Sequence, residues 1–426
     1  MRQHAGYRYR LYPTAEQEAA LTRWAGCART IWNAGLEQRL AAWRICRRTL
    51  RYEDQGGTDL SEAKHALPWL AEAHSDVLQQ SLRDLDRAFN NFFAGRAGHP
   101  RPRRKGRRER FRIQSRRGKA KIEVRRLNRR WGHLRVPKLG WVRFRWTRAP
   151  VGTIKHLTVS RDALGWHVSL CTESEVEAPL HHPGPPIGID RGVNITVALS
   201  TADLRSCPGL RPGQAERMRR LARKAGRQET ARRRRPAGDR RRSAQHQRTL
   251  DAIASLRARE ARIRTDFLHK LSRELANNHG LVAIEALRIK AMTRSAKGSV
   301  DDAGQNVAQK RGLNRAILTS GWGELGRQLA YKTARAGGVL VEVPAAHSSR
   351  TCGKCGYVDE ANRQGRRFQC NACGHRAHAD INAARVILAR ALEAQEEGGQ
   401  ARPSQHGEPS AYARPRTVNH SEALAA

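Results

Sequence analysis

Four cysteines near the C-terminal end stand in two tight pairs, Cys352-x2-Cys355 and Cys370-x2-Cys373, with fourteen residues between the pairs. Two such turns bring four thiolates within reach of one tetrahedral Zn2+, with Zn–S bonds of about 2.3 Å. Gly353, Gly356 and Gly374 supply tight turns around them. Four thiolates leave no open coordination position. This zinc is therefore expected to be structural, folding the segment rather than doing chemistry. The other cysteines, Cys27, Cys46, Cys171 and Cys207, are scattered, which fits a reducing compartment and a metal site better than a disulfide framework.

Three carboxylates could do chemistry. Asp190 ends the apolar run "IGIDRG", Glu285 lies inside "VAIEAL", and Asp380 follows the last cysteine by seven residues, at the start of a helix. An ionised carboxylate in an apolar segment is costly unless something pairs with it, and a divalent metal is one such partner. Converged on two Mg2+ ions, three carboxylates can serve hydrolysis of a phosphodiester. Plainer roles stay open for each. Asp190 could start a turn before Gly192, Glu285 could pair with an arginine, and Asp380 could cap its helix. Glu342, in "VLVEVP", is also an acid in an apolar strand, and periodicity does not separate it from the others.

The elements that must position these groups read as follows. "YRYRLYP" is an alternating strand ended by Pro13. Thr14 and Gln17 form a capping box, and Leu21, Trp24, Ala28, Ile31, Trp32 and Leu36 recur at helical spacing. A second stripe, Leu70, Val77, Leu78, Leu82, Leu85 and Phe89, completes a helical unit over 15–95. Residues 101–150 are rich in Lys and Arg, with Glu109 and Glu123 as their acids. There "KIEVRRLNRRWGHLRVPKLGWVRFRW" alternates apolar and basic residues, and "TIKHLTVSRDALGWHVSLCTE" reads as a hairpin. These strands, with the first, suggest a β-barrel-like unit with a basic surface. Trp131, Trp141 and Trp146 are expected in its core, with base stacking as the alternative. "EVEAPLHHPGPP" reads as a linker.

Beyond it the pattern turns α/β. A strand ends at Asp190, and a very basic segment spans 211–249. A long helix runs from about 249 to 278 on the stripe Ile253, Leu256, Ile263, Phe267, Leu271 and Leu275. A buried strand carries Glu285. A mobile loop at 299–314, a helix over 313–336, the strand "GVLVEVP", the cysteine unit and a helix over 381–394 follow. The Gly-, Pro- and Ser-rich end, 397–426, is expected to be disordered.

Composition narrows the function class. The 426 residues hold 81 Lys+Arg against 39 Asp+Glu, a formal net charge of +42. A polyanion is the natural counterpart of such a charge, and nucleic acid is the usual one. No apolar run is long enough for a transmembrane helix, and the first residues lack the apolar core of a signal peptide. A cytoplasmic, nucleoid-associated protein is expected.

In one order, these motifs resemble a known family. "YRYRLYPTAEQEAAL", "IGIDRGVN", "DFLHKLSREL" before "VAIEAL", and "HSSRTCGKCG…FQCNACG…ADINAA" are similar to the segments of TnpB (OrfB), the RNA-guided DNA endonucleases of insertion sequences and relatives of type V CRISPR effectors. The resemblance spans about residues 5–390.

It implies an α/β RuvC-like (RNase H-like) nuclease domain at 187–346 and 377–396, with a zinc ribbon inserted at 347–376. An N-terminal wedge β-barrel at 1–14 and 96–178 would carry a helical recognition unit at 15–95, followed by a linker at 179–186. Asp190, Glu285 and Asp380 are implied as the catalytic Mg2+ ligands, and Cys352, Cys355, Cys370 and Cys373 as the ligands of one structural Zn2+. Glu342 has no counterpart in that set. Guide RNA and double-stranded target DNA, cut beside a short flanking motif, are the implied partners. His378-Ala379 stands where the family often has Asp-Arg. A nuclease-inactive RNA-guided regulator and a transposition accessory protein are the rival readings. A guide-free junction nuclease fits the large basic N-terminal half less well, and no His-x-His transposase motif is evident.

Overall fold

The computed structural model describes residues 1–106, 109–116, 121–296, 298 and 304–396. The expected disordered tail lies outside the described residues. The chain divides into two compact units, Met1–Glu177 with Leu250–Ala258, and Ala178–Thr249 with Arg259–Ala426.

In the first unit, strand β1 (Arg2–Tyr12) leads into helix α1 (Ala15–Cys46). Thr14 Oγ1 accepts the Gln17 N–H and Gln17 Oε1 accepts the Thr14 N–H, the reciprocal cap its sequence implies. Short helices α2 (Tyr52–Gly56) and α3 (Thr58–Ala66) precede α4 (Ser75–Phe93). Strands β2 (Arg110–Gln114), β3 (Glu123–Arg126), β4 (Trp131–Val136), β5 (Gly140–Arg145), β6 (Thr153–Asp162) and β7 (Gly165–Glu175) follow. They join β1 in a seven-stranded antiparallel sheet of order β2-β6-β7-β1-β5-β4-β3. Among the described residues β2 and β3 do not pair, so no hydrogen-bonded seam closes the sheet into a full barrel.

One face of every strand feeds a single core with the helices. Tyr9, Leu11, Ile113, Leu134, Val142, Phe144, Leu157 and Val168 pack there with Leu21, Trp24, Ala28, Val77 and Leu78. Of the three tryptophans expected in that core, Trp146 packs against it beside Phe144, whereas Trp131 and Trp141, half-buried, do not. Strand alternation sends Trp131 and Trp141 to the outer face, opposite Arg145 and Arg135. Guanidinium groups of Arg143 and Arg125 lie over their rings, 4.7 and 4.4 Å from the centroids.

In the second unit, β8 (Ile187–Asp190), β9 (Val197–Leu199) and β10 (Leu204–Arg205) precede α5 (Pro212–Arg233) and α6 (Ala244–Asn278). The basic segment is thus largely helical, and α5 has no buried residue. Strand β11 (Leu281–Glu285), α7 (Ile289–Met292), α8 (Val307–Ser320), α9 (Trp322–Arg335) and β12 (Val339–Val343) follow. The single helix expected over 313–336 is two helices. Gly321, at φ 77°, ends α8 and starts α9 in a backbone conformation that glycine tolerates best. The expected loop at 299–314 becomes helix from Val307, because Val307 to Ser320 satisfies its own backbone; residues 299–303 lie outside the described residues.

The sheet order is β10-β9-β8-β11-β12, with β8, β11 and β12 parallel. One face packs on α6 and α9 through Ile187, Ile189, Val282 and Ile284 with Leu268, Leu271 and Leu329. The other carries Leu281, Ala283, Val341 and Val343 against Ile387 and Ala391 of α10 (Ala379–Glu396). Between β12 and α10 lies a small three-stranded sheet, β13 (Arg363–Gln364), β14 (Arg367–Gln369) and β15 (Arg376–His378), holding the cysteines. Among the described residues no helix is long and apolar enough to cross a membrane.

Candidate functional site

The parallel register of β8 and β11 sets Ile187 beside Val282, Gly188 beside Ala283 and Ile189 beside Ile284. The next residues on the two strands are Asp190 and Glu285. Side chains alternate across a strand. With Ile187, Ile189 and Ile284 on the α6/α9 face, Gly188, Asp190 and Glu285 fall on the α10 face. Glu342 pairs in register with Ile284, while Glu285 pairs with Val343. Glu342 therefore belongs to the opposite face and is exposed. A one-residue difference in phase removes it from the site.

Helix α10 brings the third carboxylate. It crosses directly over β8, where a side chain at Gly188 would overlap the Ala384 carbonyl and the Leu388 backbone. Asp380 lies in the first turn of α10 and is not its cap: its backbone N–H donates to His378 Nδ1 at 3.3 Å. Asp380 Oδ1 instead accepts from Arg363 Nη2 at 2.9 Å. The N-terminal turn also places partly free N–H groups next to negative charge, which favours it.

The charges of Glu285 and Asp380 both act on Asp190. Asp190 is pushed up to about 7, first by burial, then by the charges of Glu285 and Asp380, with Arg363 pulling the other way. Glu285 is 8% exposed, and its Oε1 accepts from the Ser348 hydroxyl. Among the described residues no arginine forms an ion pair with its carboxylate. The nearby guanidinium of Arg191, 7% exposed, donates to the Glu285 carbonyl and to the Trp322 carbonyl. Oxygen ligands with negative charge are what Mg2+ takes, and here the like charges raise Asp190; among the described residues the three carboxylates do not come as close together as the four cysteines do.

Sequence reading missed Arg363 and Ser348. Arg363 opens the two-residue strand β13 and Ser348 lies in a turn; neither carries a periodic signal, and only the fold carries them to Asp380 and Glu285.

The four cysteine Sγ atoms all lie within 4.8 Å of one another, the one such ligand set of three or more His, Cys, Asp or Glu among the described residues. Cys352–Cys373 and Cys355–Cys370 are 3.7 and 3.6 Å apart. A tetrahedron with Zn–S bonds of about 2.3 Å has edges of about 3.8 Å, so the site fits Zn2+. Backbone N–H groups of Lys354 and Cys373 point at Cys352 and Cys370 Sγ, as thiolates require.

Comparison with known proteins gives three family matches along the chain: a helix-turn-helix domain over residues 1–46, a probable transposase over 169–296, and a Cas12f1-like TNB domain over 322–387. The first of these segments is here a strand and one long helix. The putative RNA-guided DNA endonuclease InsQ of Escherichia coli (strain K12) is 34% identical over 392 residues, covering 91% of this chain and 92% of that protein. A putative RNA-guided DNA endonuclease of Streptomyces pristinaespiralis is 34% identical over 407 residues, covering 93% and 92%. Among solved structures, the Cas12f1 chain of a Cas12f1–sgRNA–target DNA complex superposes with a TM-score of 0.51 at 14% identity, over 91% of this chain and 98% of that one.

Proposed function

The chain belongs to the TnpB-like (OrfB) family of RNA-guided DNA endonucleases, and from that membership we propose that it cuts target DNA chosen by pairing with a guide RNA, beside a short flanking motif. The observation that carries the reading is the placement of Asp190 and Glu285 at the ends of adjacent parallel strands, on the face that α10 covers with Asp380.

In this reading the α/β unit is a RuvC-like nuclease, and Asp190, Glu285 and Asp380 hold the catalytic Mg2+, two ions in the reading we favour. Bound Mg2+ supplies activation of water and neutralisation of charge on the phosphodiester. The chain's own residues do the rest. Burial of Asp190 and Glu285 keeps competing water away from the ligand oxygens. The Ser348 hydroxyl donates to Glu285 Oε1 and so holds the carboxylate in place. Arg363 offers a positive charge beside Asp380. The zinc ribbon is structural.

Guide RNA and DNA are the proposed partners. In RNA-guided effectors base pairing reads sequence, while the protein holds the duplex by its backbone and reads the flank. Support comes from the charge of +42, from the exposed basic helix α5 and from the outer sheet face, where Arg143 and Arg125 cover Trp131 and Trp141. The first unit takes the place of the wedge and recognition parts. The presence of all three carboxylates argues against a regulator without nuclease activity.

The test is to purify the protein with its RNA and offer double-stranded DNA matching that RNA beside a library of flanks, with Mg2+. Guide-dependent cutting beside one flank is expected. No cutting beside any flank, from a protein that has retained RNA, overturns the reading.

A further inference from the structure

Asn382 stands two residues after Asp380 on α10 and is 0% exposed. Both ends of its amide are used by the backbone on either side of Cys352. Its Oδ1 accepts the Gly353 N–H at 2.9 Å, and its Nδ2 donates to the Thr351 carbonyl at 2.7 Å. The amide orientation follows from the partners, because one is a donor and the other an acceptor. Ser348, 4% exposed and four residues before Cys352, donates to Glu285 Oε1. The first residue of α10, Ala379, donates its N–H to the Arg366 carbonyl at 2.9 Å. The cysteine segment is thus fastened to the helix of one carboxylate and to the side chain of another.

A metal held by the four cysteines would order that segment. Its own buried apolar cluster is only Cys352, Phe368 and Cys370, with Ala379 of α10 added. In small metal-bound units the free energy of metal binding is the free energy of folding. Residues that orient a metal's ligands tune its affinity in turn.

We propose that Asn382 and Ser348 are positioning residues through which the closed zinc ribbon sets the Asp380 and Glu285 carboxylates, so that Zn2+ at the cysteines and a divalent cation at the carboxylates favour each other's binding. This rests on the reading of the carboxylates as a metal site, and it is read out without nucleic acid or cutting. Reciprocity is required: whatever zinc does for the second cation, that cation does for zinc.

The experiment uses the full chain, with Mn2+ as the probe. Bound Mn2+ is followed by electron paramagnetic resonance and zinc by atomic absorption, in wild type, Asn382→Ala, Ser348→Ala and Asp190→Asn. Both positioning variants are expected to keep about one zinc per chain and to bind Mn2+ roughly tenfold more weakly. Stripping zinc from wild type should weaken Mn2+ to a similar degree, and Mn2+ should slow zinc release. Mn2+ affinity unchanged in both variants overturns the inference. So does loss of zinc from Asn382→Ala, since Asn382 would then belong to the ribbon's own fold. Wild type binding Mn2+ no better than Asp190→Asn strikes the carboxylate site itself, and the coupling falls with it.

Discussion

Arg363 Nη2 lies 2.9 Å from Asp380 Oδ1. A guanidinium supplied by the cysteine segment thus pairs with one carboxylate of the α/β unit, across seventeen residues of sequence that include two of the four clustered cysteines. Positive charge held at a phosphoryl site is among the largest single contributions to such catalysis. Arg363→Ala is expected to slow guide-dependent cutting by roughly 10²-fold while zinc content and RNA binding stay at wild-type level. Single-turnover cutting measured beside zinc analysis decides it, and an undiminished rate removes Arg363 from the mechanism.

Asp380 does not cap its helix, because His378 Nδ1 takes its backbone N–H. Asn is therefore not an equivalent residue at this position, although it caps helices as well as Asp does. Asp380→Asn should leave thermal stability nearly unchanged and abolish cutting, with RNA-dependent DNA binding retained in a gel-shift assay. Full cutting by this variant would remove Asp380 from the proposed ligand set.

Asp190 carries a pH signature. Its ordinary value is 3.8, and in the folded, metal-free protein it is pushed up to about 7. The folded chain therefore holds a proton that the unfolded chain has already released. The contribution of Asp190 to stability falls as pH rises from about 4 to about 7, and falls no further above that. A divalent cation offsets the loss by favouring the ionised form. The rise in melting temperature on adding Mg2+ should be larger at pH 8 than at pH 5.5, and Asp190→Asn should flatten that difference. Equal Mg2+ shifts at both pH values in wild type would contradict it.

Gly188 lets α10 lie against β8. Gly188→Ala puts a methyl group into the Ala384 carbonyl, and overpacking of this kind costs about 1–3 kcal/mol. Expected are a lower melting temperature and loss of cutting out of proportion to it, because the helix that moves carries Asp380. Gly6→Ala, where a side chain meets open space, is the matched control and should change neither.

The sequence by itself determined the local elements and the chemistry available. An acid in an apolar run, as at Asp190 and Glu285, is visible because its cost is intrinsic to its neighbours. Two CxxC turns, as at Cys352–Cys373, specify their geometry within one short segment. Leu21, Trp24, Ala28, Ile31 and Leu36 announced a helix face that is buried. Tertiary structure alone decided which groups meet. Glu285 and Glu342 are indistinguishable in one dimension, and strand phase relative to a helix on one face separates them. Trp131 and Trp141 alternate in phase with His133 and Arg143, not with Leu134 and Val142, and the packing of the helices on the Leu134 and Val142 face left them outside, opposite Arg145 and Arg135. Arg363, Ser348 and Asn382 gave no periodic signal, because a hydrogen bond made once across the fold leaves no repeat in the chain. Burial recurs along an element and can be read from it; a contact between elements is a property of their packing.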